Sequence, residues 1–324
     1  MSRLWTAGLL AGLCALAACS APPAAGPGAA SPSPRGTAAG VPTGPAGPVS
    51  PAARTEPVAA VPAPPPPPRV TVTRTRTADG SVVTLAAFSG PVRYVLHNGS
   101  ADPGPAAAGL VGADPAVTGA ERRRLLAAFN GGFQLNNHVG GYEQEGHVIS
   151  PLERGFTSLV IDRSGRARIG IWGHGLPAPG EAVYSVRQNL EPLVEHGRPT
   201  QAAADWGLWG ATLGGGEYVA RSALGQDASG DLMYAASMST TPYDLADALA
   251  RGGAGIAMEL DINPAWVQLD IARRPGGRLA AAVPGQNRPA DQYLVGWTRD
   301  FIKVLAPLAA SPSTVPPVSL RLRP

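Results

Sequence analysis

Apolar and polar residues alternate over several short stretches of the chain, and a period of two is typical of β-strands with one buried face. Two such stretches, residues 69–77 and 81–88, are joined by Asp79-Gly80, which is a strong signal for a β-hairpin. The same pattern predicts further strands over residues 157–162, 166–172, 232–238 and 255–263. Residues 184–194 are less regular, and we expect them to be partly helical.

A helix is predicted over residues 118–129. Thr118 can cap its first turn, and Glu121 follows three residues later, as in a capping box. Leu125, Leu126 and Phe129 supply its apolar positions.

The clearest local signals surround a second helix. Thr241 can serve as its N-cap, Pro242 occupies the first helical position, and Asp244 lies in the first turn. Gly252 and Gly253 are expected to end it. The strand over residues 255–263 would then follow directly.

These elements favour an α+β fold, a single mixed α/β domain over residues 69–310 with a mostly antiparallel or mixed sheet. Residues 20–68 consist largely of Ala, Pro, Gly and Ser and cannot build a core. We therefore expect a disordered or polyproline linker there, and a flexible tail over residues 311–324.

The first 19 residues have the pattern of an export signal. Arg3 precedes a short apolar stretch, residues 4–18, which is too short to be a comfortable membrane span. Leu16-Ala17-Ala18-Cys19 resembles a bacterial lipobox, in which the cysteine is lipidated; the alternative is an ordinary signal peptide with an accidental cysteine. We expect an extracytoplasmic lipoprotein anchored to the bacterial cell membrane through Cys19. Because Cys14 would be removed, the domain has no disulfide.

The composition excludes several classes of function. A formal charge of +3 is too mild to indicate a nucleic-acid partner, and the many arginines fit a GC-rich codon bias as well as they fit a function. The histidines lack the spacing of a metal site, and no dinucleotide fingerprint, phosphate loop or nucleophile elbow is present.

Glu259, Asp261 and Asn263 alternate with apolar residues, so a strand would place all three on one face. Glycoside cleavage usually needs two carboxylates, and the Cα atoms of Glu259 and Asp261 would lie about 6.6 Å apart, a spacing that fits both the retaining and the inverting mechanism. Their proximity would raise one pKa. Alternatively, the carboxylates face solvent or pair with arginine. Calcium is a third option, although one strand supplies too few oxygen ligands.

Three segments together resemble the phosphodiester glycosidase family, which removes N-acetylglucosamine from a phosphodiester on mannose residues. The first two are Asn130-Gly131-Gly132-Phe133 and Arg221-Ser222-Ala223-Leu224-Gly225, and the third is the capped helix with its glycine pair and strand. The similarity covers roughly residues 129–304. The chain departs from the family where a triple glycine normally follows the aspartate, since Ile262, Asn263 and Pro264 follow Asp261 here.

The resemblance implies a hydrolase that acts on a sugar-phosphate or cell-envelope glycan and needs no cofactor. Asp261 would transfer the proton, Glu259 would tune or assist it, and Arg221 would hold the phosphate. The expected substrate-binding residues are Asn130, Gly131, Gly132, Asn263, Trp266 and His138. A turn with positive φ would explain the glycines equally well, and a core position would explain Trp266. The alternative function is a non-catalytic glycan-binding lipoprotein on the same scaffold.

Overall fold

The computed structural model describes residues 66–110, 114–210 and 215–308. Its α-helices are α1 (Gly119–Arg124), α2 (Pro242–Arg251) and α3 (Gln292–Val295). Its strands are β1 (Arg69–Arg76), β2 (Val82–Ser89), β3 (Arg93–His97), β4 (Leu125–Asn130), β5 (Tyr142–Gln144), β6 (His147–Ser150), β7 (Thr157–Ile161), β8 (Ala167–Ile171), β9 (Ser185–Gln188), β10 (Val194–Glu195), β11 (Arg198–Pro199), β12 (Val219–Asp227), β13 (Leu232–Thr240), β14 (Ala254–Glu259), β15 (Leu269–Ala272), β16 (Leu279–Ala281) and β17 (Phe301–Leu305).

The strands form three sheets in which neighbouring strands run antiparallel, which confirms the predicted fold class. Sheet 1 has the order β1-β2-β13-β12-β14-β10-β11, sheet 2 the order β16-β15-β4-β17-β3, and sheet 3 the order β6-β5-β9-β7-β8. One core lies where the three sheets meet, with Phe88 from sheet 1, Phe129 from sheet 2 and Leu159 from sheet 3. The rings of Phe88 and Phe129 are stacked with their centroids 5.6 Å apart.

The two elements with the strongest local signals form as predicted. Strands β1 and β2 make the antiparallel hairpin, and Gly80 in its turn has a φ of +92°. At the start of α2, the Thr241 hydroxyl accepts a 3.0 Å hydrogen bond from the Asp244 N–H. Leu245 and Leu249 on α2 then pack against the outer face of sheet 1. Both elements form as predicted because their turn and cap chemistry is local.

The helix predicted over residues 118–129 is wrong beyond Arg124. Only Gly119–Arg124 is helical, the Thr118 side chain makes no capping bond, and the apolar continuation is strand β4. Every residue of β4 is buried, because the strand lies between β15 and β17 inside sheet 2 and is covered on both faces. A strand covered in this way reads as a continuous apolar run without alternation.

Residues 184–194 are not helical either. They contain β9 and the start of β10, and the Arg187 and Gln188 side chains of β9 are buried. Because polar side chains of β9 are buried, the strand lacks the alternation of apolar and polar residues by which it would have been recognised.

Strand β14 ends at Glu259, four residues earlier than predicted. The Leu260 N–H still donates to the Ser222 carbonyl at 2.7 Å, and the chain then turns. In that turn the Asp261 Oδ1 accepts a 2.8 Å hydrogen bond from the Asn263 N–H. The aspartate therefore bonds to the backbone two residues on and redirects the chain at the sheet edge.

The predicted signal peptide, Cys19, nearly all of the linker and the tail lie outside the described residues. Within the described ranges, no helix has both the length and the apolar composition needed to cross a bilayer.

Candidate active site

Asp261 lies where the chain leaving β14 meets the chain leaving β4. Its N–H donates to the Gly131 carbonyl at 3.1 Å, so these two predicted site residues are brought together. The Asp261 carboxylate is 7% exposed, and its Oδ2 lies 3.2 Å from Nη1 of Arg299. The Asp261 side chain is therefore largely buried, with a small exposed fraction.

Arg299 joins two carboxylates. Its Nε lies 3.1 Å from Oδ2 of Asp102, and its Nη1 contacts Asp261 as described. Its Nη2 donates to the Gly132 carbonyl at 2.9 Å. Asp102 is 14% exposed, so the two acids flank one guanidinium group at the solvent-facing side of the cluster.

Burial is the largest cause of the raised pKa of both acids. It raises the pKa of Asp261 to about 6, although Arg299 and the Asn263 N–H act in the opposite direction. Burial and the charge of Asp300 also raise the pKa of Asp102 against the effect of Arg299. A carboxyl group whose pKa lies near neutrality can exchange a proton during a reaction.

A second buried ion pair explains why residues 131 and 132 are glycines. Arg187 Nε lies 2.8 Å from Oδ2 of Asp300, and both side chains are almost fully buried. A Cβ atom at Gly131 would lie 2.1 Å from Oδ2 of Asp300, and one at Gly132 would lie 3.1 Å from Cζ of Arg187. Neither glycine has a positive φ. Close approach of buried charges, rather than turn geometry, excludes larger residues here.

Asn130 lies beneath Asp261 and is hydrogen-bonded to other protein groups. It is buried, and its Nδ2 donates to Ser222 Oγ at 2.9 Å. Its Oδ1 accepts hydrogen bonds from the Tyr234 hydroxyl at 2.7 Å and the Gln268 N–H at 3.2 Å. Ser222 Oγ in turn donates to the Asp261 carbonyl at 2.7 Å. Asn130 thus supports the backbone beneath Asp261, and its amide is already occupied by protein groups.

Glu259 and Arg221 form an enclosed pair. Arg221 Nη1 lies 2.8 Å from Oε1 of Glu259, and neither side chain has exposed surface. Arg221 Nη1 also donates to the Trp209 carbonyl at 3.1 Å. Burial raises the pKa of Glu259 to about 8 against the effect of Arg221. Although Glu259 and Asp261 are close in sequence, they bind different arginines, and Arg221 has no surface on which to receive a phosphate.

Trp266 is half-buried, and its ring is surrounded by side chains of the protein itself. The Cζ atoms of Arg288 and Arg299 lie 5.4 Å and 5.5 Å from its ring centroid, and Trp297 meets it edge-on at 5.4 Å. Trp266 therefore packs against two guanidinium groups, of which Arg299 is the one that contacts Asp261. Arg288 has no carboxylate partner among the described residues, and its Nε donates to the Ala265 carbonyl at 3.2 Å.

Two further predicted residues lie at the rim. Asn263 is half-buried, and its Oδ1 accepts a 2.9 Å bond from the Ala265 N–H. His138 is exposed with a φ of 55°, and its side chain forms no hydrogen bond or ion pair with a described residue. Over the described ranges, no group of three or more His, Cys, Asp or Glu side chains is arranged to hold a metal ion.

Four residues of the cluster were not identified from the sequence: Asp102, Arg187, Arg299 and Asp300. The one available signal was the pair Arg299-Asp300 immediately before the apolar strand β17. Asp102 and Arg187 belong to no recognisable motif.

No protein-family model and no curated protein matches the chain. Among solved structures, the chain is similar to the catalytic domain of zebrafish N-acetylglucosamine-1-phosphodiester alpha-N-acetylglucosaminidase, auto-inhibited by its pro-peptide. The two are 13% identical over 76% of this chain and 85% of that one, with a TM-score of 0.44. A hypothetical protein from Synechocystis is 15% identical over 74% of this chain and 62% of that one, with a TM-score of 0.46. Neither likeness is close enough for a residue-by-residue comparison.

Proposed function

We propose that this protein is an exported phosphodiester glycosidase-type hydrolase that cleaves a sugar-phosphate or cell-envelope glycan. The observation that carries the proposal is the state of Asp261. Its carboxyl group has a pKa of about 6, keeps some exposure to solvent, and is fixed by Arg299 opposite Asp102. This is the environment that a proton-transferring carboxylate requires.

The proposed reaction breaks the bond between the anomeric carbon and the phosphate oxygen. A phosphate leaves as a stable anion, so it needs a nearby cation more than it needs a proton. We therefore assign Asp261 as the general base that takes a proton from the attacking water. The other water atoms add to the sugar, and the phosphomonoester departs with the bonding electrons.

The groups around Asp261 support this assignment. Asp102, on the other side of Arg299, supplies the second carboxylate that glycoside cleavage uses, and it faces the positive charge that develops on the sugar ring. Arg288, which has no carboxylate partner among the described residues, is the guanidinium group we assign to the phosphate. The enclosed Arg221 is assigned to holding Glu259.

The pH dependence tests the assignment of the base. Only ionised Asp261 accepts a proton, so kcat/KM should rise about tenfold per pH unit below pH 6 and become level above it. Initial rates on a fluorogenic sugar-1-phosphodiester between pH 4 and pH 8 measure this. Asp247→Asn makes the same chemical change in a surface ion pair and should keep the wild-type profile. A flat profile between pH 5 and pH 7 would refute the general-base role.

A glycan-binding lipoprotein without catalysis is the second candidate. The observation that favours this candidate is that Pro264 and Trp266 follow Asp261, and that arginines surround the indole ring. This candidate predicts retention on envelope glycan together with no turnover of any sugar-1-phosphodiester.

Lipid anchoring through Cys19 is part of the proposal. Replacing Cys19 by alanine should move the protein from the membrane fraction to the soluble fraction, because one cysteine carries the lipid. Cys14→Ala lies in the segment that would be removed and should leave the distribution unchanged. Immunoblots of fractionated cells measure both variants. If Cys19→Ala still sediments with membranes, the anchor is another feature.

A further inference from the structure

A cleft of about 820 Å³ lies at one end of sheet 2, where β15 connects to β16. Its floor is apolar and includes Ile271, Ala280 and Ala281. Its rim carries Arg273, Arg274 and Arg278, and all three are exposed. A concave apolar surface edged by cations is suited to an anion with an uncharged body.

The positive charge of this cleft is not neutralised by neighbours. No acidic residue lines it, and none of its three arginines has a carboxylate within 4 Å in the described part of the chain. Helix α1 adds to the charge, because Arg122 donates to the Gly277 carbonyl at 3.2 Å at the same edge. The fixed charges therefore sum to a local positive potential.

Another cleft shows that arginine content alone does not produce this pattern. A cleft of about 590 Å³ lined by Arg166 and Arg168 also contains acidic residues. There Arg166 pairs with Asp162 at 3.0 Å, and Arg168 pairs with Glu181 at 2.5 Å. Arg166 and Arg168 are thus neutralised locally, whereas the three arginines of the β15–β16 cleft are not.

The cleft is separated from Asp261 along strand β4. Asp261 is bonded to Gly131, directly after this strand, whereas Ile271 of the cleft pairs with Ala127, and four residues of extended chain span about 13 Å. A single phosphate cannot contact both places. A chain of linked phosphates can.

We propose that this cleft binds a linear phosphodiester polymer, with successive phosphates on the three arginines and the uncharged units on the apolar floor. The concave shape favours a flexible chain over a flat bilayer. The inference rests on the proposed function only in treating the polymer as the substrate. Binding itself is independent of hydrolysis.

The experiment measures binding of fluorescein-labelled poly(glycerol phosphate) to the full chain by fluorescence anisotropy. Arg273→Gln/Arg274→Gln/Arg278→Gln should weaken binding about tenfold or more at low salt and reduce its salt dependence, because three phosphate contacts are lost. Arg69→Gln/Arg76→Gln/Arg198→Gln removes the same charge from exposed residues elsewhere and should change the affinity less than about twofold. Asp261→Asn should bind like the wild type.

Several results would overturn the inference. Equal losses in the two triple variants would show attraction by net charge alone. No polymer binding by the wild type would exclude the site. A loss of binding to vesicles containing anionic lipid, with polymer binding unchanged, would identify a membrane-facing patch. If the triple variant melts early, the three single substitutions replace it, and unchanged polymer affinity in all of them would equally reject the site. Polymer binding by the wild type without any turnover of a sugar-1-phosphodiester would contradict the proposed function only.

Discussion

Replacing Asp261 by asparagine should lower turnover of a sugar-1-phosphodiester by about 10²–10⁴-fold, which is the usual contribution of a general base. The melting temperature should change little. Asparagine has the same size and keeps an oxygen for the Asn263 N–H, and Arg299 retains its contacts with Asp102 and the Gly132 carbonyl. Steady-state kinetics and thermal denaturation of the same preparation measure the two quantities.

A purely structural role for Asp261 predicts the opposite combination. The melting temperature would fall, and the remaining activity would follow the folded fraction. Asp247→Asn is the matched control, because it makes the same change in an exposed pair with Arg251 and should leave both quantities near wild type.

Replacing Glu259 by methionine should lower the free energy of unfolding by about 1.5–3 kcal/mol, because the buried guanidinium group of Arg221 loses the carboxyl oxygen to which it donates. Arginine cannot release this cost by losing a proton. The Glu259 side chain has no exposed surface, so water cannot take its place without rearrangement. Urea denaturation followed by circular dichroism measures the change.

The double variant Arg221→Met/Glu259→Met separates a structural pair from a phosphate site. With both polar side chains replaced by apolar ones of similar size, most of the lost stability should return. Burial raises the pKa of Glu259 to about 8, so the native state retains this proton and the wild type loses stability as the pH rises from about 4.5 towards 8. The double variant should lose that part of the pH dependence. Unchanged stability with abolished turnover in Arg221→Met would instead return Arg221 to the phosphate-holding role.

The elements that could be predicted from the sequence are those whose signals are local. Asp79-Gly80 defines the first hairpin, and Thr241 with Asp244 defines the start of α2, whatever the rest of the chain does. Strand β4 could not be recognised, because its apolar run is explained only by the two hydrophobic clusters that cover its two faces. Because both faces of β4 are buried, the strand lacks the alternation of apolar and polar residues on which strand prediction depends.

The site was predictable only in part for a similar reason. Gly131 and Asp261 were both singled out from the sequence and are hydrogen-bonded to each other, but the ions that organise them pair across large sequence separations: 113 residues between Arg187 and Asp300, and 197 between Asp102 and Arg299. The chain has 26 Lys and Arg residues, of which one is lysine, so no single arginine was distinctive. Pairing in space, which the sequence does not encode locally, distinguishes Arg299 from the others.

The most direct test of the central claim is hydrolysis of a sugar-1-phosphodiester in ¹⁸O-labelled water, followed by mass spectrometry of both products. If Asp261 activates water for attack on the anomeric carbon, the label appears in the released sugar, the phosphate product carries none, and Asp261→Asn forms little of either. Label in the phosphate product, or binding of substrate without any cleavage, would contradict the assignment of this site as a phosphodiester glycosidase centre.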